Sequence, residues 1–161
     1  MSRFDNEIRI TPSVLDRLLD DRPDESREAP TNRQTSLRLL KLAVKRDLEW
    51  LLNTRLTAEP PPAGLVEVNR SLATFGIPDF TSSAIKGPQD HELLRQDVEQ
   101  AVRLFEPRLQ DVEVSLEGAL EIERSVRFRI EARLKVDPAP EPVTFDTMLQ
   151  LTSGEFHVKG D

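Results

Sequence analysis

Apolar positions recur every three or four residues through the first two thirds of the chain and every second residue through the last third. Leu37, Leu40, Val44, Leu48 and Leu51 follow steps of three and four, so they share one helical face. Leu39, Ala43 and Leu52 widen that stripe, Trp50 falls beside it, and Arg38, Lys41, Lys45, Arg46 and Asp47 take the remaining face. The spacing predicts a helix over 35–54, capped by Thr35 or Ser36. A second helix is predicted over 89–105, entered after Pro88 with Asp90 as its cap and with Leu94, Val98, Ala101, Val102 and Phe105 as its stripe. It must stop near Phe105, because Pro107 disfavours helical geometry at Glu106.

Beyond Pro107 the period drops to two. Val112, Val114 and Leu116 alternate with acids and Ser115; Val126, Phe128, Ile130, Ala132, Leu134 and Val136 alternate with charged residues. Val143, Phe145, Thr147, Leu149 and Leu151 form a third run, and Phe156 with Val158 a short fourth. Such alternation buries one face and wets the other, the habit of antiparallel sheets. Helices first and strands later predict an α+β fold. It would be a small antiparallel sheet of three to four strands packed with two main α-helices, the second and longest strand lying centrally.

Residues 1–34 read as an arm ahead of a single domain over 35–161. Within it, Thr11 as cap and Pro12 at the first helical position open a short helix whose stripe is Val14, Leu15, Leu18 and Leu19. The stretch 20–33 is charged, carries Pro23 and Pro30, and reads as a polar linker. So short an amphipathic helix cannot bury its stripe alone; it docks on the domain or on a partner. Ser71 to Phe80 is apolar but broken by Gly76 and Pro78, and its two phenylalanines predict a buried turn capping the core.

Composition narrows the function. The 161 residues carry 22 cationic and 29 acidic side chains for a formal charge of −7, which disfavours a binder that tracks nucleic-acid phosphates. There is no cysteine, so disulfides, thiol catalysis and thiolate metal sites are excluded, and a reducing compartment is expected. His91 and His157, the two imidazoles, stand far apart in sequence, so no metal site or cofactor is expected. No apolar run reaches the roughly 18–20 residues of a membrane span, and Met1 to Asp5 lacks a signal-like pattern. A cytoplasmic protein with no membrane insertion and no small-molecule substrate is the expectation.

The six glycines are scattered, no serine sits in a nucleophile elbow, and most acids lie on polar faces of predicted elements. Glu106-Pro107-Arg108 is the one unusual spot, since proline fixes the direction in which the chain leaves the helix. It reads as a helix-ending ion pair, as a rigid charged corner for a partner, or as a catalytic acid tuned by arginine. The last would make the chain a lysozyme-like peptidoglycan hydrolase with Glu106 as general acid, which needs a second carboxylate across a cleft. A neighbouring arginine favours the charged form of an acid, the wrong sense for a proton donor. The sheet edges, with unpaired N–H and C=O groups, offer a further binding mode by strand addition.

Four stretches in order carry a resemblance: Leu15 to Asp21, Arg46 to Arg55, Phe75 to Phe80 and Phe105 to Leu109. Together they resemble TssE, the baseplate subunit family of bacterial type VI secretion systems, within the phage tail baseplate-wedge proteins once labelled lysozyme-like. The family often has Tyr where this chain has Phe75. The resemblance implies a non-catalytic structural component of a cytoplasmic baseplate docked at the inner membrane. Its implied partners are the wedge proteins TssF, TssG and TssK and the sheath proteins TssB and TssC, with strand addition helping to initiate the sheath. It implies partner contacts at Glu106, Pro107 and Arg108; Leu15, Leu18 and Leu19 of the arm are the other expected partner-binding residues.

Overall fold

A computed structural model describes residues 10–19, 32–56, 61–62, 64–80, 87–120 and 125–160, the side chains of 118–120 excepted. Among these residues four α-helices and a 3-10 turn, Leu72–Thr74, precede four strands: α1 Val14–Leu18, α2 Arg33–Asn53, α3 Val66–Asn69 and α4 Pro88–Phe105, then β1 Leu109–Leu120, β2 Ser125–Leu134, β3 Glu141–Gln150 and β4 Glu155–Gly160. The strands form one antiparallel meander in the order β1-β2-β3-β4. The α+β expectation holds, and β2 is an interior strand as its regularity predicted, although the edge strand β1, at 12 residues against 10, is the longest.

The helix stripes and the apolar strand positions meet in one core. Leu48 and Leu52 of α2, Val98 and Val102 of α4, and Phe128, Ile130, Leu134, Phe145, Leu149 and Phe156 of the sheet are almost wholly buried. Complete burial of a large apolar side chain is worth about 1.5–3 kcal/mol, so these positions dominate the stability. The opposite face of the sheet is polar, and Arg129 there bridges strands to Glu117 at 2.7 Å and Asp146 at 3.0 Å.

The helix starts differ from the expected ones because side chains close them at other positions. Ser13, not Thr11, caps α1: its hydroxyl accepts from the Asp16 amide at 3.1 Å, and the Asp16 carboxylate accepts in return from the Ser13 amide. Asn32 caps α2 through the Thr35 amide at 2.8 Å, so this helix begins two residues inside the stretch assigned to the arm. Asp90 sits inside the first turn of α4, where its carboxylate accepts from Gly87. Pro88 opens that helix, at the position where a missing N–H costs nothing.

The 71–80 segment is a turn against the core, with Ile77 fully buried and Phe75 and Phe80 packed on it half-buried. It is tied to the end of α2: Ile77 donates to the Thr54 carbonyl and Leu56 to the Ile77 carbonyl, both at 3.0 Å. Gly76 adopts φ +114°, and a Cβ there would lie 2.5 Å from the Thr54 oxygen. Arg55 lies over the rings of Phe80 and Phe156, at 5.3 and 5.9 Å from their centroids. Its guanidinium donates to the carbonyls of Leu52 and Gly154. Burial lowers its pKa from the ordinary arginine value, partly countered by Asp79.

Candidate functional site, an ionic corner between two helices and the sheet

The Glu-Pro-Arg corner forms where α4 ends. Glu106 is the C-cap residue, its amide donating to the Val102 carbonyl, and Pro107 then turns the chain into β1. This turn folds Arg108 back onto the side chain two residues before it. The Arg108 amide and Nε donate to Glu106 Oε1 at 3.2 and 2.7 Å, and Nη2 donates to Glu106 Oε2. The same Nη2 reaches Asp47 of α2 at 2.6 Å. Glu106 is 4% exposed, whereas Arg108 is half-buried and Pro107 exposed. The hydrogen bonds Arg108 donates to Glu106 raise the Arg108 pKa; burial opposes the shift and Asp47 adds to it. The guanidinium is therefore a fixed cation with a fork geometry matched to carboxylates.

The corner continues into a chain of charges. Asp47 also accepts from Arg46 at 2.8 Å, and Arg46 reaches Asp16 of α1 at 2.9 Å. Burial pushes the Asp16 carboxyl up, but hydrogen bonds from Ser13 and Arg46 and the charge of Arg46 bring it below its ordinary value. On the sheet side, Arg108 and Pro107 accept through their carbonyls from the Lys135 amide and Nζ, at 2.8 and 2.7 Å. One ionic line thus joins α1, α2, the end of α4 and the start of the sheet.

The arm's described part lies against the domain. Ile10 packs on the core, and Asp16 clasps Arg46. The apolar stripe of α1 is nevertheless open: Leu15, Leu18 and Leu19 are 39, 76 and 51% exposed. The predicted site residues therefore fall into two groups, the corner and the α1 leucines, linked through Arg46 and Asp47. Sequence reasoning missed Asp47 as a partner of Arg108, because 61 positions separate them and no local period signals the pairing.

Both sheet edges are partly closed by side chains that act as peptide surrogates. On β1, Arg103 donates to the Val112 carbonyl at 2.7 Å, Arg95 to the Val114 carbonyl at 3.1 Å, and Glu99 accepts from the Val114 amide at 3.3 Å. Hydrogen bonds from Arg95 and Gln96 also hold exposed Glu92 down to about 2. The β1 register shifts twice, and Asp111 adopts φ +53° at the first irregularity. On β4, the Asn53 amide both donates to and accepts from the Phe156 backbone at 2.9 Å.

Among the described residues no cluster of three or more His, Asp or Glu could hold a metal ion. His157 faces Glu49 at 4.0 Å. No helix of the described residues is long and apolar enough to cross a membrane.

The described residues thus form an α+β fold in which a four-stranded sheet is braced by two helices and an ionic corner. The family model of the baseplate wedge protein gp25 matches residues 38–139, from the first turns of α2 through β2 into the following turn. That span is more than half of the chain, and the protein belongs to this baseplate wedge family. A structural role in a phage tail-like baseplate, in contact with other baseplate and tail components, follows from the membership. No curated protein matches the chain significantly.

Proposed function

We propose that the protein is a TssE-type wedge subunit of a type VI secretion baseplate, a non-catalytic joint between wedge and sheath. The observation that carries this reading is the family match over residues 38–139, a span that contains both ends of the Asp47–Arg108–Glu106 clasp. The described residues of the four resembling stretches fall on α1 and its cap, the end of α2, the 71–80 turn and the corner, with Asp20 and Asp21 outside the described residues.

In this reading TssF, TssG and TssK contact the corner and the α1 leucines. Pro107 and Arg108 offer the accessible surface, and Glu106 acts by holding Arg108 in place. The sheath proteins TssB and TssC are reached through strand addition. The added strand pairs with edge groups that no described side chain has taken, on β4 past Phe156 or on β1 past Val114. Residues 1–34 serve as a docking arm of the 35–161 domain, in a cytoplasmic assembly seated at the inner membrane.

The hydrolase reading fits the geometry poorly. Both Glu106 oxygens accept from Arg108, and the side chain is 4% exposed, so a glycan oxygen has no approach to it. Wild-type protein and Glu106→Gln should release equally little from purified cell wall. Turnover by the wild type that Glu106→Gln abolishes would reverse this reading.

The joint reading is tested by co-purification with TssF–TssG. Wild type should recover the pair, and Arg108→Ala, with its fold verified by circular dichroism, should recover at least about tenfold less, a loss of about 1.4 kcal/mol. Unchanged recovery would remove the corner from the interface; no recovery by the wild type would remove the TssE assignment. A chain lacking residues 1–30 should stay folded and assemble poorly.

A further inference from the structure

Helix α2 carries two apolar stripes and the core uses one. The second runs through Leu39, Leu42, Arg46 and Trp50, again in steps of three and four, so these side chains share a face. Leu39, Leu42 and Trp50 are 47, 52 and 59% exposed. Arg46 interrupts the stripe only formally. Asp16 and Asp47 hold its guanidinium at 2.9 and 2.8 Å, and it lies 5.8 Å from the Trp50 ring centroid. The stripe spans eleven residue steps, about 16 Å or three helical turns.

Its two borders differ in charge. On one side stands α1, fixed by the Asp16–Arg46 bond with its leucines open. On the other side Arg38 and Lys45 border Leu42, with Lys41 further round α2 and Glu49 next in the same row, and none of the three cations forms an ion pair among the described residues. Three cations to one acid in this row, the cations unpaired among the described residues, stand out on a chain of net charge −7. An apolar floor three turns long with a basic border matches the face of one helix that carries an apolar stripe and carboxylates beside it. An anionic bilayer matches less well, because Asp16 and Asp47 stand on the α1 side where headgroups would be repelled.

We infer that the Leu39–Leu42–Trp50 face of α2 docks an acidic amphipathic helix of another protein. Its apolar stripe lies on Leu42 and Trp50, and its carboxylates meet Arg38 and Lys45. This holds whichever secretion or tail assembly the chain joins.

Trp50 is the chain's only tryptophan, so its emission reads this face directly. The full chain is titrated with a helical peptide of about 18 residues, five turns, bearing a leucine stripe bordered by glutamates. The same peptide with lysines for the glutamates, and phosphatidylglycerol vesicles, are titrated in parallel. The acidic peptide should shift Trp50 emission to the blue, with affinity falling as salt rises. The charge-reversed chain Arg38→Glu/Lys45→Glu should bind it about tenfold more weakly or worse. The exposed-site variant Arg38→Glu should weaken binding in the same sense and guards against misfolding of the double variant. No shift with the acidic peptide, equal binding of both peptides, indifference to charge reversal in folded variants, or a shift with vesicles alone would each overturn the inference.

Discussion

Gly76 and Glu106 illustrate how much single side chains decide here. Gly76 combines φ +114° with a close approach to the Thr54 carbonyl, so Gly76→Ala meets both backbone strain and a clash. It should cost about 1–3 kcal/mol, the usual range for such strain. In a chain of this length that lowers the Tm by roughly 2–4 °C per kcal/mol, measurable by thermal unfolding. An unchanged Tm would mean that the turn yields. Glu106→Ala removes the acceptor for three Arg108 hydrogen bonds while Asp47 stays to pair the guanidinium. A loss of about 1.5–3 kcal/mol is expected from urea unfolding, the range for hydrogen bonds to charged groups. The sequence marks both positions: a glycine before Ile-Pro, and a proline between opposite charges. It leaves open whether Glu106 faces a partner or its own chain, because burial depends on what α2 places beside it.

At the element scale, α1, α2, α4 and the strands were legible because each repeats apolar positions at its own period, whereas the single turn of α3 is too short to show one. The 3.6 and 2.0 periods are local consequences of backbone geometry, so no partner is needed to read them. Caps were less legible, since Thr11, Ser13, Asn32, Thr35 and Ser36 are all competent capping residues and only the realised hydrogen bond selects one. The docking of α1 was undecided by composition; the Asp16–Arg46 bond supplies the contact. This contact should depend on acid pH. The docked carboxyl of Asp16 has a lowered pKa, so docking is favoured in full above the ordinary value of 3.8 and is lost as pH falls through the lowered value. Amide chemical shifts of residues 14–18 should therefore hold steady from neutral pH down to the ordinary aspartate range and move below it. Asp16→Asn should show the shifted values already at neutral pH. An acid step that persists in this variant would assign the transition to another group.

For the whole molecule, α2 lies along β4 and α4 along β1, so each helix both covers the core and guards an edge. An unpaired strand edge is a template for unwanted association, and charged side chains on it are a common protection. Glu99→Ala combined with Arg103→Ala leaves the Val114 amide open and takes the arginine fork off the Val112 carbonyl. At tens of micromolar, roughly where exposed edges associate, this variant should form dimers and larger species by light scattering while the wild type does not. A monodisperse variant would show that the two register shifts of β1 suffice as protection.

The sequence by itself determined the α+β class, the interior place of β2 and the absence of thiol chemistry. Each follows from composition or from a short-range period that the chain carries wherever it folds. The tertiary structure decided what long-range contacts control: Arg108 on Asp47 across 61 positions, Asn53 on Phe156 across 103, and the exposure of a second stripe on α2. These arise because helix orientation over a sheet is set by the fit of whole surfaces. A polar residue learns its partner only when that packing is complete.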